Sequence, residues 1–231
     1  MADSAAARGV TYGGSGSTVA GLMLGFPSGD FTLDIGTDIT ELVHNAAIYN
    51  NLVYSKHASA YAYWLNATTA TAAMSTVNFR NNIAACTGNG GALRILGKDS
   101  MGASGANLTV NYNHYPTDAT ARWSRGAAQV ATNYDTFAAW QALATPAMDA
   151  NAANGDVLLV GDPTDGIDNA RLDAGSPAIG LGTNLYGTFT DDWEGRLRPA
   201  AGAWDAGAFH RYAGGSSPTV RGGRLLSGVG Q

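Results

Sequence analysis

Apolar and polar positions alternate in short runs through the middle of the chain. Tyr61, Tyr63 and Leu65 alternate with Ala62 and Trp64, and Leu93, Ile95, then Leu108, Val110 and Tyr112 keep the same period of two. That period puts successive side chains on opposite faces of an extended strand. Two of the runs resemble each other: Ile48-Tyr49-Asn50-Asn51-Leu52 and Phe79-Arg80-Asn81-Asn82-Ile83, with Asn50 and Asn81 separated by 81 − 50 = 31 positions. A third copy falls at Val110-Asn111-Tyr112-Asn113. Matching its apolar alternation to Val77-Asn78-Phe79 gives 110 − 77 = 33, whereas matching Asn113 to Asn82 gives 31. A repeat of this length fits a coil of three short parallel strands, each coil hydrogen-bonded to its neighbours. Asparagine suits the recurring corner because it tolerates the left-handed conformation, and stacked asparagines bond to one another. One segment breaks the alternation. Phe137, Trp140 and Leu143 have helical spacing after an early Asp135, which predicts a short helix ending near Pro146.

The pattern predicts an all-β fold: a right-handed single-stranded parallel β-helix, a short solenoid, with one short α-helix and extended terminal arms. Its expected bounds are an arm over 1–30 rich in Gly, Ala and Ser, a coil stack over 31–210, and a Gly-rich tail over 211–231. Composition agrees with a turn-rich β architecture, with 31 glycines and only 13% charged residues. A net charge of −5 with just two lysines, Lys56 and Lys98, argues against coating nucleic acid, which needs a concentrated basic face. No apolar run is long enough to insert in a membrane, no secretion signal follows Met1, and lone Cys86 forms no internal disulfide.

Residues 172–209 carry the densest set of punctuation. The run reads LDAGSPAIGLG, then TDDWEGRLRP, then WDAGAF. Gly175, Ser176 and Pro177 force a turn, Ala178 and Ile179 read as a short strand, and Ala206, Ala208 and Phe209 read as a closing strand. Asp192, Gly195 and Arg198, followed by Asp205 and Gly207, complete the pattern, with Gly180 where an Asp is usual. This run resembles the C-terminal coils of right-handed parallel β-helix proteins of the pectate-lyase-like superfamily. The resemblance implies a structural cap that finishes the last coils, with Asp192 and Arg198 as its ion pair.

Candidate chemistry is sparse. Asp162, Asp165 and Asp168 in GDPTDGID are the densest acids, and a polar turn is the simpler reading than a Ca²⁺ loop. Asp34, Asp38 and Glu41 would share a face only if their segment were helical. His44, His57, His114 and His210 lack metal-ligand spacing, so neither a metal nor another cofactor is expected. Tyr61, Tyr63 and Trp64 offer a sugar-contact strip, although alternation exposes at most one set of them. Arg221, Arg224, Leu225 and Leu226 mark the tail as a docking segment, since arms of this composition order along a partner.

Two function classes follow. The first is a non-catalytic structural or adhesive module, a bacteriophage virion protein of head decoration or of a tail spike or fibre. It would assemble as a homotrimer, contact capsid or tail subunits, take host polysaccharide as a further partner, and sit in the virion. The alternative is a carbohydrate-active enzyme, a polysaccharide lyase or glycoside hydrolase, for which fold-level resemblance is the argument.

Overall fold

Short alternating runs give short strands. The computed structural model describes residues 11–12, 18–20, 23–26, 33–37, 47–55, 62–67, 77–86, 93–96, 108–118, 123–127, 130–143 and 147–212. Its strands are β1 (Thr11–Tyr12), β2 (Thr18–Ala20), β3 (Met23–Phe26), β4 (Leu33–Thr37), β5 (Ala47–Tyr49), β6 (Leu52–Ser55), β7 (Tyr63–Ala67) and β8 (Val77–Arg80). They continue as β9 (Ile83–Cys86), β10 (Leu93–Leu96), β11 (Leu108–Asn111), β12 (His114–Tyr115), β13 (Trp123–Ala127), β14 (Val130–Tyr134) and β15 (Ala153–Asn154), with α1 at Phe137–Gln141.

Three small sheets result. They run β1-β4-β7-β10-β13-β14, β2-β5-β8-β11 and β3-β6-β9-β12-β15. Among the described strands every pairing is parallel except that of β13 with β14. Leu33, Tyr63, Leu93 and Trp123 lie in register across the first sheet. In the second, Ile48, Phe79 and Val110 do so. The third copy of the asparagine run therefore aligns by matching Asn113 to Asn82, and the 33-residue alternative is not used.

Where β5 meets β6 and β8 meets β9, only two residues intervene. Asn50 and Asn81 turn the chain there with φ of 52° and 59°, and Tyr112 does the same before β12 with φ 60°. The left-handed conformation is open to asparagine at little cost, whereas tyrosine is strained in it.

The inward faces meet in one apolar core. Ile48, Val53, Tyr63, Phe79, Leu93, Val110, Tyr115 and Trp123 belong to it, closed on one side by Phe137 and Trp140 of α1. A helix forms where expected but ends at Gln141, well before Pro146; Thr136 caps it, its Oγ1 accepting from Ala139 N at 3.1 Å, while Asp118 accepts from Phe137 N. A second apolar cluster lies on the other face of the third sheet. There Leu52, Tyr54, Ile83 and Ala85 meet Val157, Ala170, Leu172, Ala178, Ala206, Ala208 and Phe209. Hence all four residues of β9 are buried, whereas β8 alternates buried and half-buried.

These observations correct the sequence-based fold. No β-helix spans 31–210; the described chain forms three small sheets with few helical residues, and past β15 no strand continues them. The antiparallel β13–β14 pair also departs from an all-parallel stack. Ala178–Ile179 and Ala206–Phe209, expected as strands, form none: the first lies in a turn and Ala206–Ala208 in a bend. Residues within the expected arm over 1–30 instead supply β1, β2 and β3, paired to β4, β5 and β6. Pairing a backbone in a ladder satisfies its N–H and C=O groups, which composition alone does not reveal.

Candidate functional site

Two columns of asparagine rise side by side through the sheets, and they do different work. In the inner column, Asn51 Nδ2 donates to Asn82 Oδ1 at 2.9 Å, and Asn82 Nδ2 to Asn113 Oδ1 at 3.2 Å. Asn82 and Asn113 also donate to the carbonyls of Ile48 and Phe79, so each amide braces the strand ahead of it. Asn113 Nδ2 then donates to Asp149 Oδ1 at 2.8 Å. A carboxylate accepts only, so Asp149 fixes the direction of every amide before it. Tyr115 Oη at 2.6 Å and Trp140 Nε1 at 2.8 Å donate to its other oxygen. Burial pushes the Asp149 carboxyl up to about 6, against the pull of these three donors.

The outer column holds the C-terminal region. Asn81 Nδ2 donates to Asn50 Oδ1 at 3.0 Å and to Thr183 O at 2.8 Å, and Asn81 Oδ1 accepts from Thr183 N. Asn50 Nδ2 donates to the carbonyls of Asp205 and Gly207. Gly182 packs so closely on Asn81 that a Cβ would lie 2.9 Å from its Cγ. The chain from Gly182 to Gly207 thus sits on corners in the middle of the sheets and not at their far end.

The expected cap residues meet here, arranged differently from the expectation. Arg198 and Asp192 are both buried but form no direct ion pair. The Arg198 guanidinium donates to the carbonyls of Asp205, Gly207 and Ala208 at 3.2, 2.9 and 3.1 Å, and lies over the Trp204 ring. Burial lowers its pKa to about 10, with Asp192 and Asp205 pulling the other way, so it keeps its charge at neutral pH. Asp192 accepts from the backbone of Glu194, Arg196 and His210, in a turn that Gly195 closes with φ 75°.

Asp205 accepts from Gly180 N and Arg211 N, and His210 Nδ1 lies 2.9 Å from it. Burial raises the Asp205 pKa, but those partners outweigh it and hold the carboxyl below its usual range. Gly207 has φ 86°, and a Cβ there would lie 2.5 Å from Ile83 Cδ1. Ser176 Oγ donates to Val157 O, Gly175 lies in the exposed turn before it, and Pro177 is exposed. A fork-shaped ion pair was the natural reading of Asp and Arg six residues apart. The fold instead gives each one backbone groups that no strand satisfies.

The remaining candidates separate. Tyr63 is fully buried, with its hydroxyl 2.9 Å from Ile83 O and 3.1 Å from Asn51 O, so it belongs to the core and not to a sugar-contact strip. Tyr61, the Trp64 side chain, Arg221, Arg224, Leu225 and Leu226 lie outside the described residues. Asp162 accepts from Thr164 N and Oγ1 in a polar turn, and Asp168 pairs with Arg171. Asp34 lies on a strand, so the helical face it was to share with Asp38 and Glu41 does not form there. Among the described residues no three His, Cys, Asp or Glu side chains are placed to hold a metal ion. No helix of the described chain is long and apolar enough to cross a membrane. Cys86 is buried, and burial pushes its thiol up to about 12.

One concavity opens beside the clamp that Arg198, Asp192 and Asp205 make on this strand-free chain. It is a cleft of about 210 Å³ lined by Val160, Arg171, Leu172, Glu194, Arg196, Phe209, His210, Arg211 and Tyr212. Glu194 pairs with both Arg171 and Arg196 across it. Sequence reading did not find this cleft, because its residues come from four separate segments with no shared period.

No family model matches the chain, and neither a curated protein nor a solved structure matches it. The likeness of residues 172–209 to the pectate-lyase-like superfamily thus rests on the quoted residues alone.

Proposed function

We propose that this chain is a non-catalytic structural module of a larger particle, of the kind bacteriophage virions contain, joined to other subunits through its terminal segments. The observation that carries the reading is the use made of the buried charges. Asp149 ends an amide column, and Arg198, Asp192 and Asp205 bind backbone groups of a strand-free segment. Groups fully committed in the resting fold serve to hold shape, whereas catalysis keeps an acid or base free to meet a reacting atom. In the Asp162–Asp168 turn, the strongest acidic candidate for a lyase or hydrolase, the Asp162 carboxylate accepts from Thr164 and Asp168 pairs with Arg171.

Deletion of residues 213–231 tests the docking role. The cut falls after Tyr212 because Arg211 N–H binds Asp205 and the Tyr212 ring packs edge-on against His210. The truncated protein is expected to keep its circular dichroism spectrum and melting point while failing to join its particle. Unchanged incorporation would overturn docking through that segment. Incubation with host polysaccharide is expected to release no reducing ends or unsaturated sugars, and release abolished by Asp→Asn substitution would establish the enzyme reading in its place.

A further inference from the structure

His114 is fully buried, and neither of its ring nitrogens has a hydrogen-bond partner. An imidazole buried in this way is tolerated only while neutral, because a proton would place an uncompensated charge away from water. Its position decides what that proton would move. On β12 it alternates with Tyr115, which belongs to the core between the sheets, and it pairs in register with Ile83 and Ala153 of the neighbouring strands. Ile83 belongs to the second apolar cluster, where the third sheet meets the chain from Val157 to Phe209. His114 therefore stands on the seam between the strand stack and the strand-free chain.

Few charges stand on the elements that meet there. β15 has none, β9 carries Cys86 on its other face, and β6 brings Tyr54. Beside the apolar residues of the strand-free chain stand Asp156, Arg171, Asp173, Asp205 and His210. Arg171 pairs with Asp168 and Glu194, Asp173 Oδ1 accepts from Ala174 N, and Asp205 holds His210. Asp156 alone of these acts on the His114 imidazole, and its pull is smaller than the cost of burial. A proton on His210 would meet the Asp205 carboxylate 2.9 Å away and tighten that contact, so it resists opening of the seam.

The stack answers acid in the opposite sense. Its inner asparagine column ends on Asp149, whose carboxyl burial raises to about 6, so acid removes a buried charge there. The seam has no ladder of its own. Its crossing bonds include Gly207 N to Asn81 O, Thr183 N to Asn81 Oδ1, and Asn50 Nδ2 to the carbonyls of Asp205 and Gly207. Parting these two surfaces hydrates His114 without breaking a strand pair, which makes local opening the cheaper response to its proton.

We infer that this seam is an acid-operated latch: neutral His114 keeps the chain from Val157 to Tyr212 seated on the third sheet, and its protonation unseats that chain while the strands stay paired. The inference goes beyond the assembly reading and does not depend on it. Seated His114 takes its proton at about 4, and an imidazole in water at 6.5. The latch is therefore fully closed above 6.5, and its opening equilibrium grows about tenfold per pH unit from about 6 down to about 4.5.

Hydrogen exchange of the full chain, read amide by amide by NMR and corrected for the intrinsic pH dependence of exchange, tests the latch. Between about pH 7 and about pH 4.5 the Thr183 and Gly207 amides, both held by Asn81, should lose about fiftyfold in protection. The Ile83 and His114 amides, bonded to Asn51 O and Asn82 O within the stack, should keep theirs. His114→Leu should leave Thr183 and Gly207 protected at both pH values. Unchanged protection of these two in the native chain at acid pH would overturn the proposal, as would an equal loss in His114→Leu. Loss in the stack amides alongside them would mean global unfolding and overturn it too. The His114 ring resonance supplies a reading that needs no variant. It should stay that of a neutral imidazole at about pH 5.5, where an accessible one is protonated. A ring already protonated there, with Thr183 and Gly207 still protected, would overturn the latch.

Discussion

The stacked strands between Ala47 and Asn154 and the strand-free chain from Val157 to Tyr212 bury polar groups by opposite means. In the first, the same asparagine recurs 31 residues apart, so one local solution is copied from layer to layer. In the second, backbone bonds within turns are joined by unrepeated side-chain bonds, in which Arg198, Asp192 and Asp205 each reach carbonyls or N–H groups that no ladder supplies. Repetition spreads stability over many equal contacts, whereas the clamp concentrates it in Arg198, Asp192 and Asp205. The two regions meet where Asn50 and Asn81 lend the outer side of a repeated corner to unrepeated chain.

Breaking the clamp should cost most. Arg198→Met leaves the carbonyls of Asp205, Gly207 and Ala208 unpaired in a buried site, an expected loss of about 3–5 kcal/mol in urea unfolding. A loss below about 1 kcal/mol would show that water replaces the guanidinium and that the clamp is not concentrated there.

Two buried groups make the comparison depend on pH. His114 packs without a hydrogen-bond partner on either ring nitrogen, and burial holds its pKa down to about 4, with Asp156 opposing the shift. The unfolded imidazole takes its proton near 6.5, so the stability tied to neutral His114 is complete above that pH and is lost as pH falls toward 4. Asp149 behaves oppositely. Its carboxyl is raised to about 6, so its contribution is greatest below the ordinary value of 3.8 and is lost as pH rises through 6. Each effect is worth roughly 3 kcal/mol when complete. Between pH 4 and 6 they offset one another. Melting curves of His114→Leu should show stability falling as pH rises across that window, and Asp149→Asn should show it falling as pH drops. Parallel slopes in the two variants would refute the opposition.

A break in the repeat should cost less, because neighbouring layers remain. Asn82→Ala removes bonds to Asn51, Asn113 and Ile48 O, with an expected loss of about 2–3 kcal/mol. A larger loss than that of Arg198→Met would reverse the contrast between spread and concentrated stability. The smallest effect sharpens the repeat itself. Tyr112 is the one corner of three without asparagine, with φ 60°, so Tyr112→Asn is expected to stabilise by about 0.5–1 kcal/mol. Differential scanning calorimetry resolves that gain, and a lowered melting point would mean that the Tyr112 ring contributes more than its backbone costs.

The sequence determined the alternating strands β7, β10 and β11, the asparagine corners and the helix around Trp140, because each follows from local alternation, from tolerance of left-handed φ or from helical spacing. A period of 31 also linked the Asn50-Asn51 and Asn81-Asn82 pairs, while the third copy stayed open between 31 and 33 until strand register placed Asn113 with Asn82. Only the tertiary structure decided that β9 is covered on both faces, that Arg198 binds carbonyls and not Asp192, and that residues from four separate segments enclose a cleft. The β-helix over 31–210 and its closing strand were read from local likeness and did not form as expected. The physical reason is one of range: alternation and turn chemistry are written into neighbouring residues, whereas the partner of an unrepeated buried charge is chosen by whichever backbone groups folding leaves unsatisfied beside it.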